Sequence, residues 1–155
     1  MLIPNQKRQR RRQRGFSLVE VLIALVIMSV GMLGIAGLYV HSMRAGRTSM
    51  LRHNAVTLAG DVADRIRANP RAAIAYAGLG GNNDCVTANI DCNAAQMAAH
   101  DIFLWDQQAV QTMPNGDVDV IFNNAVSPPE YTITISWDEP GENLSYSITI
   151  PVLGI

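Results

Sequence analysis

The sequence predicts an α+β protein: a long N-terminal helical spine, half transmembrane and half amphipathic, packed against a small C-terminal antiparallel sheet. Three observations carry this expectation. Val21 to Val40 is an uncharged run of aliphatics, Met, Ala, Gly, one Ser and one Tyr. Leu51, Ala55, Leu58, Val62 and Ile66 recur at spacings of 4, 3, 4 and 4, which puts them on one face of a helix. In the last third, "DVDVIF", "YTITISW" and "LSYSITI" alternate apolar and polar residues with the period of a half-buried strand.

Charge divides the chain as sharply as hydropathy does. The net charge of -1 hides six basic residues in the first fourteen positions, namely Lys7, Arg8, Arg10, Arg11, Arg12 and Arg14. The other six end at Arg71, and from Ala72 to Ile155 there are ten acids and no Lys or Arg. Removal of residues 1–15 would leave 6 basic and 13 acidic side chains, a formal charge of -7. So acidic a C-terminal half repels phosphate backbones, and nucleic acid is an unlikely partner.

The apolar run explains the basic start. Twenty residues in a helix span about 30 Å, the thickness of a bilayer's hydrocarbon core. Six positive charges precede the run and three (Arg44, Arg47, Arg52) follow it soon after. This bias keeps the N-terminus in the cytosol and directs everything beyond His41 outward. A small-residue cleavage site after the apolar core, as in an ordinary secretory signal, is absent.

The unusual chemistry comes just before the run, in "GFSLVEVLIAL". Gly15 leaves the backbone unobstructed for a protease at the cytosolic face. Cleavage after it would give Phe16 a free amino group, four residues from Glu20. A carboxylate in a bilayer costs about 2.5 to 3.5 kcal/mol on insertion scales, so Glu20 demands a partner. On a helix, or across two neighbouring subunits, the new ammonium can be that partner. The alternative is a plain single-pass anchor with an accidental glutamate.

Basic leader, Gly, Phe, Glu at the fifth position after the cut and a long apolar helix together resemble the class III leader of type IV pilins and pseudopilins. The resemblance implies cleavage after Gly15 by a prepilin peptidase, N-methylation of Phe16 and use of Glu20 in subunit docking. It also implies partners: other pilins and minor pilins contacted through N-terminal helices, and the pilus assembly machinery of the inner membrane. The overall plan is similar to the type IV pilus modification proteins, the PilV-like minor pilins. Gly31, Gly34 and Gly37 could allow close helix packing or local loosening, or be simply tolerated in a membrane helix.

Four regions follow: a leader at 1–15, a transmembrane helix at 16–40, an amphipathic continuation at 41–70 that Pro70 ends, and a periplasmic head at 71–155. Within the head, "AGLGGNNDCVTANIDCN" reads as a loop, and its Cys85 and Cys92, with six residues between them, are expected to form a disulfide in an oxidising periplasm. Asn93 and Gln96 have the spacing of a capping box, and Ala98, Ile102, Trp105 and Ala109 would be buried on one face of the helix they open. His100 and Asp101, adjacent on that helix, are expected at a solvated surface. "DEPGEN" reads as the turn of a hairpin between the last two strands.

Three functions are compatible with these features. The first is a minor pilin of a type IV pilus, acting in assembly or initiation and in pilus-dependent twitching motility or adhesion. A minor pseudopilin of a type II secretion system would share its leader and spine. A membrane-anchored periplasmic enzyme is disfavoured, because the chain has no nucleophile elbow, metal-binding cluster or phosphate loop. No catalytic residue, metal or cofactor is expected. The expected location is the inner membrane with a periplasmic head, followed by a cell-surface pilus.

Overall fold

A computed structural model describes residues 15–86 and 91–152. Most of the basic leader, residues 1–14, lies outside the described residues. The chain separates into two compact units, one up to Met43 and one from Arg44 on. Helix α1, Leu18–Ala68, contributes to both. A 3-10 segment, η1 (Pro70–Ala77), helix α2 (Ala94–Thr112) and strands β1 (Asp117–Asn123), β2 (Glu130–Glu139) and β3 (Glu142–Pro151) complete the order.

The described part of the first unit is helix from Leu18 on, with its apolar side chains exposed. Val21, Leu22, Ile23, Leu25 and Val26 are each at least 46% accessible, so none of the described residues covers this surface. It is also the one helix among the described residues long and apolar enough to cross a membrane. Lipid or other helices must cover it, since exposed apolar area costs roughly 25 cal/mol per Å² in water.

The second unit has a conventional core. The stripe predicted from spacing is the face that α1 buries: Leu51, Ala55, Leu58, Val62 and Ile66, joined by Ala59 and Ala63. They share one hydrophobic cluster with Trp105 and Ala109 of α2 and with Tyr131, Ile133, Ile135 and Trp137 of β2. Buried and half-buried residues alternate along β2, as the period-two pattern requires. The second half of the spine and the sheet are therefore two layers closed over one interior.

Local rules account for the connections. Asn93 accepts from the Gln96 N–H at 2.9 Å while the Gln96 side chain accepts from the Asn93 N–H at 3.0 Å, so α2 starts with the capping box that the sequence predicts. The sheet is an antiparallel meander in the order β1-β2-β3. Pro140 and Gly141 make its last turn, and Gly141 supplies the left-handed φ of 94° that a side chain would resist. At Gly116 the need is steric, because an added Cβ would fall on the Ala109 carbonyl.

The structure corrects one expectation. His100 and Asp101 are buried, 4% and 3% accessible, rather than solvated. Asp101 follows Ala98 by three residues and precedes Trp105 by four, which places it on the helix's own buried stripe. His100 stacks beside Phe103, with ring centroids 6.4 Å apart.

Candidate functional site

The site-bearing segment is the start of α1. Gly15, Phe16 and Ser17 precede the helix, and the Ser17 hydroxyl accepts a hydrogen bond from the Val19 N–H at 3.3 Å. The Ser17 carbonyl accepts from the N–H groups of Glu20 and Val21 at 3.1 and 3.3 Å. Ser17 thus caps the helix and satisfies one of its otherwise orphaned donors. Consequently Glu20 falls in the first helical turn, where the partial positive charge of the helix terminus favours a carboxylate.

Among the described residues, no atom approaches within 4 Å of where a Cβ on Gly15 would stand, and Phe16 is 83% exposed, so none of them shields the peptide bond between the two. Among the described residues, Glu20 has neither an ion pair nor a side-chain hydrogen bond. Val19, just before it, and Leu22, Ile23, Val26 and Ile27, just after it, line an apolar helix face. An unpartnered carboxylate at the head of an apolar face can be satisfied by a cation on another helix packed against that face.

Residues 10–36 match the family model described as the Prokaryotic N-terminal methylation motif, and residues 37–103 match that of Type IV pilin Tt1218. The chain is a member of the type IV pilin superfamily. No curated protein and no solved structure gives a significant match. The long N-terminal helix with a small three-stranded antiparallel sheet is the pilin layout, and the family is structural rather than enzymatic. A pilin of this kind is anchored in the membrane by its apolar N-terminal helix and assembles with other pilins and with membrane machinery.

The pilin's head is fastened by polar ties that sequence reasoning overlooked. Arg65, in the last turn of α1, donates to Asp101 at 2.7 Å and pairs with Asp61 at 3.4 Å. The other Asp101 oxygen accepts from the Tyr76 hydroxyl at 3.0 Å, so one carboxylate joins α1, η1 and α2. Burial, reinforced by the Asp101 carboxylate and only partly offset by Asn69, pushes the Tyr76 hydroxyl pKa well up. For Arg65 burial acts to lower the pKa, but the Asp101 and Asp61 carboxylates outweigh it and raise it. Cys85 and Cys92 are joined in a disulfide with Cα atoms 5.7 Å apart, beside the start of α2 and away from the Gly15–Glu20 segment in sequence.

A second tie clamps the last turn. The Thr48 hydroxyl donates to Glu139 at 2.6 Å, and Trp137 Nε1 donates to the other Glu139 oxygen at 3.3 Å. The Thr48 bond holds the Glu139 pKa below its ordinary value of 4.5, with help from Trp137 and from Arg52 and Arg47. A carboxylate whose folded pKa is depressed stabilises the fold above its unfolded pKa, and this contribution is lost as pH falls through the folded value. Acidification below 4.5 should therefore loosen the β2–β3 turn in the native chain. Amide protection factors of Glu139 and residues 141–143, each referred to the intrinsic exchange rate at that pH, should fall in the wild type on acidification, whereas in Glu139→Gln they should be low at neutral pH already and change less.

Proposed function

We propose that this chain is a minor pilin of a type IV pilus, most like the type IV pilus modification proteins. A prepilin peptidase cuts after Gly15, Phe16 becomes the N-methylated first residue of the mature chain, and Glu20 directs entry into the filament. The division into leader 1–15, transmembrane helix 16–40, amphipathic spine 41–70 and head 71–155 belongs to this reading. The head faces the periplasm until the subunit joins a cell-surface pilus, where it supports assembly or initiation and, through the pilus, twitching motility or adhesion.

The observation that carries the proposal is Glu20 itself: exposed, without a side-chain partner among the described residues, and one turn from an accessible Gly15–Phe16 bond. Cleavage supplies what it lacks. The ammonium of Phe16 is a cation at the right place in sequence, and methylation leaves its charge intact. In lipid the unpaired carboxylate is costly; against a neighbouring Phe16 ammonium it becomes an ion pair of the low-dielectric interior. Assembly is thereby favoured in one axial register, since a shift by a single turn would separate the charges by about 5.4 Å.

The match of residues 37–103 to a type IV pilin model favours a pilus over a type II secretion machine. Affinity purification of a tagged full-length chain from crosslinked cells distinguishes the two. Pilus subunits and pilus assembly proteins should be recovered with it. Recovery of secretion-system pseudopilins in their place would overturn this reading in favour of the other.

A further inference from the structure

We infer that the cavity between α1 and the β2–β3 turn holds a phospholipid with a primary-ammonium headgroup, its phosphate on Arg44 and Arg47 and its ammonium on Glu139 and Thr48. The cavity measures about 350 Å³ and is lined by Arg44, Arg47 and Thr48 of α1 with Glu139 and Pro140 of the turn. Its place in the chain points to a lipid. Arg44 and Arg47 follow the uncharged run 21–40 by four and seven residues on one continuous helix. At 1.5 Å per residue that is about 6 and 10 Å of helix, and the polar layer outside a bilayer's hydrocarbon is about 5 to 8 Å deep on each side. Helical side chains lean toward the N-terminus, so both guanidiniums lean back toward that layer and can reach a lipid phosphate.

The cavity carries charge of both signs, and each sign retains binding capacity. Among the described residues neither Arg44 nor Arg47 makes an ion pair, and Arg52, further along α1, adds to their field. Glu139 accepts from the Thr48 hydroxyl and from Trp137 Nε1, which fixes the carboxylate while leaving lone pairs on both of its oxygens. It stays ionised at neutral pH, because the Thr48 bond holds its pKa below 4.5. Glu142, its partner across the hairpin, brings a second carboxylate to the same face of the sheet. Asp138 lies on the opposite face, where Asn115 and Asn143 donate to it.

This mixture selects the occupant. A purely anionic headgroup such as phosphatidylglycerol satisfies the arginines but meets the carboxylates of Glu139 and Glu142, and a simple cation suffers the reverse mismatch. A choline headgroup carries both charges, yet its nitrogen has no N–H to donate. The acceptors here ask for donors: the Glu139 oxygens, and the Thr48 oxygen, whose own proton already goes to Glu139. Phosphoethanolamine supplies a phosphate for the guanidiniums and an N–H-bearing ammonium for these oxygens. The assignment rests on α1 spanning a membrane; it is independent of leader cleavage, of membrane orientation and of filament entry.

The test is native mass spectrometry of the full-length chain in detergent, titrated with phosphatidylethanolamine, phosphatidylcholine and phosphatidylglycerol of the same acyl chains. Phosphatidylethanolamine should bind at least about tenfold more tightly than either of the others, the scale of a charge-assisted hydrogen bond. Water-soluble glycerophosphoethanolamine, which has the headgroup without the chains, should bind at least about tenfold more weakly than the lipid. Arg44→Gln combined with Arg47→Gln should weaken phosphatidylethanolamine binding by about tenfold or more with the far-UV spectrum unchanged, whereas Arg71→Gln, outside the cavity, should leave it as it is. Glu139→Gln should erase the preference over phosphatidylcholine, and the choline lipid itself probes that contact without altering the protein. Equal binding of the three lipids, or an unaffected double variant, would overturn the proposal. So would tighter binding of phosphatidylglycerol, which marks a plain basic patch, or glycerophosphoethanolamine binding as tightly as the lipid, which marks a site for the free headgroup.

Discussion

Glu20→Ala chains are expected to reach the inner membrane in at least wild-type amount and to be missing from sheared filaments. Insertion should not suffer, since removal of the carboxylate relieves a cost of about 2.5 to 3.5 kcal/mol in the apolar phase. Assembly should suffer heavily. Taking one partner from a buried ion pair leaves the other charge uncompensated, at a typical cost of about 3 to 5 kcal/mol, which lowers incorporation by about a hundredfold or more. Glu20→Gln separates charge from shape: it keeps the side chain's length and hydrogen-bonding oxygen but cannot pair with an ammonium. Quantitative immunoblots of membrane and filament fractions read both variants. Near-normal entry of the Gln variant would show that hydrogen bonding rather than charge is what docking uses.

Asp101→Ala is expected to destabilise the head more than any surface charge substitution. Its two oxygens hold Arg65 and the Tyr76 hydroxyl, and the latter is buried against Trp105 with ring centroids 5.7 Å apart. The truncation strands a buried phenol and removes the partner of a cation in the same stroke. Arg65 is 43% exposed and keeps much of its hydration, so the loss belongs near the lower end for broken buried pairs, at about 2 to 3 kcal/mol. Asp101→Asn retains one acceptor and should cost about 1 kcal/mol. Urea unfolding of the full chain in detergent, followed by near-UV dichroism of the tryptophans, gives both numbers. Two variants indistinguishable from wild type would mean that packing of Trp105 and Tyr76 alone holds the three elements together.

The features that sequence made legible are those written in periodicity. The stripe from Leu51 to Ile66 and the alternation from Tyr131 to Trp137 are both buried as their spacing demands, because burial selects apolar residues at every turn or every second residue. The capping box at Asn93 and the hairpin turn at Pro140–Gly141 were equally visible, being local chemistry. Asp101 was misread for a different reason. Its residue type argued for solvent while its position, three residues after Ala98 and four before Trp105, argued for the core, and position prevailed because Arg65 and Tyr76 satisfy it.

Other features could not be read from the chain at all. The irregular turn of η1, where Ala73 takes a left-handed φ of 42° and its carbonyl accepts the Tyr131 hydroxyl, depends on a residue 58 positions away. The steric need for Gly116 likewise depends on Ala109 of the preceding helix. At the N-terminus the situation is reversed. The roles proposed for Gly15, Phe16 and Glu20 rest on charge, backbone access and apolar context, which are written in the sequence itself rather than in tertiary contacts.

Mass spectrometry of the chain recovered from cell envelopes tests the central claim most directly. A mature N-terminus at Phe16 carrying one methyl group on its amine is the predicted result, for it creates the cation that Glu20 lacks. A chain still beginning at Met1, with residues 1–15 retained, would contradict the account.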